Sequence, residues 1–131
     1  PKVAVFAGKS NGVHGLGSCI FQTNNDRAAV AVFPLDGNEI AQSVHLLVYA
    51  MGRCENTDRE WNGNTLLSYG TAPIIYENIT GTLSFVSEKK TGCGWILDPM
   101  GNQTAAIPVS KTESGFQVQL GGGHLYEIIF E

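Results

Sequence analysis

The stretch Ser43-Val44-His45-Leu46-Leu47-Val48-Tyr49-Ala50-Met51 decides the fold. Side chains alternate across an extended chain, so Val44, Leu46, Val48 and Ala50 share one face and His45 lies on the other. A helical pattern can be forced onto residues 38–49, but Ser43-Val44 and the β-branched content favour a strand. Shorter runs of the same character occur at residues 2–6, 17–23, 28–33, 73–79, 82–87, 94–97, 105–110, 116–120 and 125–130. In one of them Phe116, Val118 and Leu120 share a face opposite Gln117 and Gln119. Asn11-Gly12, Asp36-Gly37, Asn62-Gly63, Gly101-Asn102 and Ser114-Gly115 supply turn residues that tolerate positive φ. About ten short strands and no helix follow, which is the pattern of an all-β, antiparallel, jelly-roll-like β-sandwich spanning residues 1–131 as one module.

Composition agrees. Only 15% of the 131 residues are charged, and there are 16 glycines. An average domain carries roughly 25% charged residues and about 7% glycine. Few charges and many glycines suit strands and tight turns better than a helical bundle. The net charge is −4, and of the eight basic residues only Lys89 and Lys90 are adjacent. Phosphate backbones need clustered Lys and Arg, so nucleic acid is not an expected partner. The longest uncharged apolar stretches, such as residues 44–52, fall far short of the ~20 residues that span a bilayer, so no membrane partner is expected. Lys2 opens a strand-like alternation rather than the apolar run of a signal peptide. Cys19, Cys54 and Cys93 are an odd set with no C-x-x-C spacing. They read as small hydrophobes, with one disulfide of open pairing as the alternative, and not as a zinc site.

Residues 52–71 stand apart. They carry little periodicity and much polar chemistry, and a loop of that length usually has a function or its own internal structure. Trp61 sits there between Glu60 and Asn62 with no apolar neighbours. Its ring either stacks on the apolar face of a sugar, with Arg53, Glu55, Asn56 and Asp58 taking hydroxyls, or folds back to plug one end of the sandwich. Tyr69, Tyr76 and Trp95 are the other amphipathic rings, and Trp95, flanked by Gly94 and Ile96 in a strand, reads more as core.

Other chemistry is weaker. His14, His45 and His124 lack a Gly-x-Ser-x-Gly elbow beside Ser10, Ser18 or Ser43. Glu55, Asp58 and Glu60 could make an acid/base pair, but carboxylates mixed with Arg53 and Arg59 more often form an ion-pair and turn network. No catalytic residue is therefore assigned. Gly121-Gly122-Gly123 precedes a strand and reads as a hairpin turn, not a phosphate cradle. No metal site is assigned and no cofactor is expected; calcium is the one cation that Asp26, Asp36, Asp58 and Asp98, with Asn24, Asn25, Asn38 and Asn102, could hold.

Several stretches carry a resemblance. Gly52-Arg53-Cys54-Glu55-Asn56-Thr57-Asp58 is followed by Trp61-Asn62, by Tyr69-Gly70-Thr71-Ala72-Pro73 and by Glu77. Pro34-Leu35-Asp36-Gly37 and Ser43 with Leu46-Leu47-Val48 precede them, and Ile96-Leu97-Asp98-Pro99-Met100-Gly101 and Leu125-Tyr126-Glu127-Ile128 follow. In kind and order these resemble the β-sandwich domain appended to the catalytic barrel of many bacterial glycoside hydrolases. Asp58 stands where that family prefers glycine, and Tyr69 and Leu125 stand where it has tryptophan. The resemblance implies an accessory role beside a hydrolytic barrel, and the expected function is a non-catalytic carbohydrate-binding module of a secreted polysaccharide-degrading enzyme. The implied partners are a polysaccharide, by analogy plant cell-wall β-glucan or hemicellulose, and a catalytic domain of the same parent chain. A structural accessory domain that packs on the barrel without a ligand is the alternative. The expected carbohydrate-binding residues are Trp61, Tyr69, Arg53, Glu55, Asn56, Trp95 and Tyr76.

Overall fold

A computed structural model describes residues 1–131. The strands are β1 (Ala4–Lys9), β2 (Gly12–Leu16), β3 (Cys19–Thr23), β4 (Arg27–Pro34), β5 (His45–Met51), β6 (Cys54–Thr57), β7 (Glu60–Asn62), β8 (Thr65–Ser68), β9 (Thr71–Tyr76), β10 (Gly81–Val86), β11 (Gly92–Leu97), β12 (Gln103–Ile107), β13 (Val109–Lys111), β14 (Gly115–Leu120) and β15 (Leu125–Phe130). Two antiparallel sheets form a β-sandwich: a six-stranded sheet ordered β1-β4-β5-β15-β11-β12 and a five-stranded sheet ordered β13-β14-β10-β3-β2. The remaining strands make two ribbons, β6-β9 and β7-β8.

Alternation builds the core. Leu46, Val48 and Ala50 of β5 are buried, as are Tyr126, Ile128 and Phe130 of β15 and Val30 and Val32 of β4. From the facing sheet come Phe21, Leu83, Phe85, Phe116, Val118 and Leu120. Phe130 stacks on Phe116 at 4.8 Å and meets Phe85 edge-on at 5.9 Å, so its ring joins the two sheets. Tyr126 is the one buried ring with a polar tip. Its hydroxyl donates to the Gly123 carbonyl at 2.6 Å and accepts the Gly121 N–H at 3.2 Å, so burial leaves no polar group unpaired there.

Four expectations need correcting. There are fifteen strands, not about ten. The run at 105–110 breaks at Pro108, which has no N–H to donate; β12 joins the six-stranded sheet and β13 the other. Gly121–Gly123 is not a hairpin turn, because β14 and β15 lie in different sheets and the glycines carry the chain between them. Trp95 is not in the core. On β11 the inward positions are Gly92, Gly94 and Ile96, where a Cβ on Gly94 would come 2.7 Å from Ile107, and this turns Cys93, Trp95 and Leu97 outward. Residues 52–71 carry the internal structure that a segment of that length suggests, in the form of β6, β7 and β8.

Candidate functional site

The chain leaves β5 at Met51, runs out along β6 and β7, turns, and returns along β8 and β9 as a paired arm. Its foot is zipped by backbone: Gly52 N–H donates to the Glu77 carbonyl at 3.0 Å, and Glu77 N–H donates to the Arg53 carbonyl at 2.8 Å. The Glu77 carboxylate accepts from Asn25 Nδ2 at 3.0 Å and from the Arg53 N–H at 3.2 Å. These bonds, Asn25 first, hold its pKa below the ordinary glutamate value. Asn25 also accepts the Thr80 N–H at 3.0 Å, which ties the foot to the loop before β10. Further out, Asn56 Nδ2 donates to the Tyr69 carbonyl at 2.9 Å and Thr57 Oγ1 to the Pro73 carbonyl at 2.7 Å. Asp58 has φ +57°, a conformation that glycine adopts without steric cost and aspartate adopts more readily than most residues. Gly70 sits at φ +70° against the Thr57 carbonyl, with which a Cβ would collide.

Of the seven expected binding residues, six lie on the arm or at its foot. Trp61 is 50% exposed and Tyr69 is 79% exposed. Trp61 belongs to no buried cluster, which removes the end-plug alternative. The Arg59 guanidinium lies 4.6 Å from the Trp61 ring centroid, a cation–π contact that steadies the ring. A shallow hollow of about 260 Å³ is lined by Cys54, Glu55, Asn56, Arg59, Tyr69 and Ile74. A second, of about 450 Å³, is lined by Asp26, Arg53, Glu55, Ile75, Tyr76 and Glu77. Glu55 borders both. Arg59 is the participant the sequence reading did not single out, although its position two residues before Trp61 was a usable signal.

The expected ion-pair network of this segment is not formed. The salt bridges of the molecule are Pro1 with Glu39 and His45 with Glu127, so Arg53, Glu55, Asp58, Arg59 and Glu60 have no ionic partner within 4.0 Å.

Trp95 stands elsewhere, on the outer face of the six-stranded sheet. It lies opposite Glu127, which lies opposite Leu47, which lies opposite Phe33. Glu127 binds His45 Nε2 at 2.7 Å with one oxygen and accepts Gln103 Nε2 at 2.6 Å with the other. Those two bonds, Gln103 first, lower its pKa. Around this polar trio the face is apolar, with Ala29, Ala31, Phe33, Leu47, Met51 and Ile129 among its outward positions.

The other candidate chemistries are dispersed. Ser10 Oγ donates to the Asn25 carbonyl and Ser43 Oγ to the His45 carbonyl, not to an imidazole. His14 bonds the Ser10 carbonyl and packs against Phe6, while His124 packs on Tyr76. Asp36 accepts the Val44 N–H at 2.8 Å and the Asn38 N–H at 3.1 Å, which pulls its pKa down to about 2. Asp98 is held by Asn102, with both side chain and backbone, and by the Met100 N–H. These carboxylates serve their own turns, and no three of His, Cys, Asp and Glu converge as metal ligands. All three cysteines are free; Cys19 is buried, which pushes its thiol up to about 11, and Cys54 and Cys93 are exposed.

Comparison with known protein families, with curated proteins and with solved structures finds no match for this chain.

Proposed function

We propose that this domain is a non-catalytic carbohydrate-binding module of a secreted polysaccharide-degrading enzyme, with a plant cell-wall β-glucan or hemicellulose as its ligand. The observation that carries the reading is the arm. It holds Trp61 and Tyr69 half or more in solvent on a braced backbone, beside charged side chains that have no ionic partner. Flat rings bury the C–H face of a pyranose, and fixed polar groups take its hydroxyls. Rings already steadied by a cation–π contact and a backbone ladder lose less freedom on binding. The polysaccharide class and the catalytic partner come from the resemblance of the arm's motif to accessory domains of glycoside hydrolases.

A second reading has its own support. The apolar outer face of the six-stranded sheet suits an accessory domain that packs on a catalytic barrel and has no ligand of its own. Affinity electrophoresis against soluble β-glucans, xylans and mannans separates the two. Retarded migration in any of these gels supports the module. Unaltered migration in all of them favours the packing role. Release of reducing sugar that disappears in Glu55→Gln or Glu60→Gln would make the domain an enzyme instead.

A further inference from the structure

The two outer faces of the sandwich differ in kind. On the five-stranded sheet, Gln119, Thr82 and Gln22 stand side by side across β14, β10 and β3, and Gln117, Ser84 and Ile20 form the next row. Neither row contains a charged side chain. Where these rows meet the loops at the foot of the arm, a groove of about 410 Å³ opens. Gln22, Asn24, Thr80, Thr82, Gln117 and Gln119 line it, and no charged or hydrophobic residue does.

The hydrogen-bonding capacity of this groove is largely unspent. Gln119 donates from its amide nitrogen to the Gly81 carbonyl at 2.8 Å and more weakly to the Leu120 carbonyl at 3.4 Å, leaving its oxygen free. Gln117 reaches Ser84 Oγ only at 3.4 Å. Gln22, Asn24 and Thr82 commit no side-chain atom to a partner within the molecule, whereas Asn25, Thr23 and Thr80 at the groove's end are locked together. A primary amide offers donors and an acceptor in one plane, which matches adjacent hydroxyls. A site without charge has nothing to pair with a carboxylate or sulfate, and desolvating such an anion there would be costly. With no hydrophobic residue in its lining, it also gives little to a lipid or an aromatic ligand.

We propose that this groove is a second glycan subsite, selective for uncharged chains and lying at the foot of the aromatic arm. The proposal rests on the reading of the domain as a glycan-binding module. The Thr23–Thr80 and Asn25–Thr80 bonds, with the Asn25–Glu77 bond, tie the groove wall to the arm's foot, so the groove keeps a fixed place beside it.

The test is nuclear magnetic resonance of the nitrogen-labelled chain with three probes: a mixed-linkage β-glucan hexasaccharide, a xylohexaose and a hexagalacturonate. The side-chain amide signals of Gln22, Gln117 and Gln119 report on the groove, and the Trp61 indole reports on the arm. The proposal expects a neutral probe to shift both sets and hexagalacturonate to leave the groove amides unmoved. It also expects the double variant Gln22→Ala with Gln119→Ala to lose at least fivefold in affinity for that neutral probe with an unchanged melting temperature. Shifts at Trp61 without shifts at the amides would overturn the groove and leave the arm reading standing. Equal amide shifts with hexagalacturonate would overturn the selectivity. No shift at either place with any probe would overturn both.

Discussion

In the sandwich, β5 and β15 alternate strictly between fully buried and half-buried side chains. In the arm, β7 and β9 are exposed at every position. One region is held by what its side chains bury; the other is held by its backbone ladder and by Asn56, Thr57 and Glu77, which bond to carbonyls and N–H groups. The difference teaches where function can sit. A side chain that closes a core cannot also meet a ligand, whereas rings on the arm are free because the fold does not need them.

That contrast can be broken most severely from the sandwich side. Leu46, near the start of β5, is fully buried, and Leu46→Ala should cost about 3 kcal/mol through lost transfer and an unfilled cavity. Urea denaturation would measure it, and a loss below about 1 kcal/mol would mean that the two sheets are less closely packed than described. Gly70→Ala tests the arm instead. Left-handed backbone costs a non-glycine residue roughly 1–2 kcal/mol, and here the Cβ also meets the Thr57 carbonyl. The arm should become sensitive to limited proteolysis and bind glycan poorly, while the sandwich still melts cooperatively within a few degrees of the parent. Simultaneous loss of both would show that arm and sandwich are one cooperative unit.

Acid offers a gentler handle. Asp36, Glu77, Asp98 and Glu127 all have carboxyls held below their ordinary pKa by hydrogen bonds, Asp36 down to about 2. Each binds its proton less readily folded than unfolded. Their stabilisation is therefore complete above the ordinary carboxylate range and is lost as pH falls from there toward 2. Asp36 is exposed and Glu77, Asp98 and Glu127 are half-buried, so solvent and salt still screen each contribution and keep it small. The melting temperature should be flat from pH 7 to 5 and decline progressively below about 4. In Glu77→Gln, the part of that decline that follows the arm's foot should be absent.

The sandwich was legible because period-two alternation is the mark of a half-buried strand, and Leu46, Val48 and Ala50 display it plainly. The arm was not, since a ribbon exposed on both faces has no reason to alternate. Its pairing depends on turns at Asp58, Gly63 and Gly70 and on cross-braces that no local pattern reveals. β2 was missed because Gly12 and Gly15 thin out an edge strand. Trp95 was misplaced because the inward positions of β11 are filled by Gly92 and Gly94, so the apolar ring points away from the core. Six of the expected binding residues fall together because they are close in sequence. The trio of Glu127, His45 and Gln103 beside Trp95 unites three distant segments through sheet register, which composition cannot foretell.

The smallest expected change in stability accompanies the sharpest test of function. Trp61→Ala removes a ring that touches Arg59 and solvent but no core residue. Calorimetric titration with a glycan that retards the parent in affinity electrophoresis should be run beside a melting curve of the same variant. Affinity should fall about thirtyfold or more, equivalent to roughly 2 kcal/mol as for an aromatic anchor, with stability changed by less than about 0.5 kcal/mol. Unchanged affinity with a clearly lowered melting temperature would contradict the account, because it would make Trp61 part of what holds the fold rather than part of what meets the ligand.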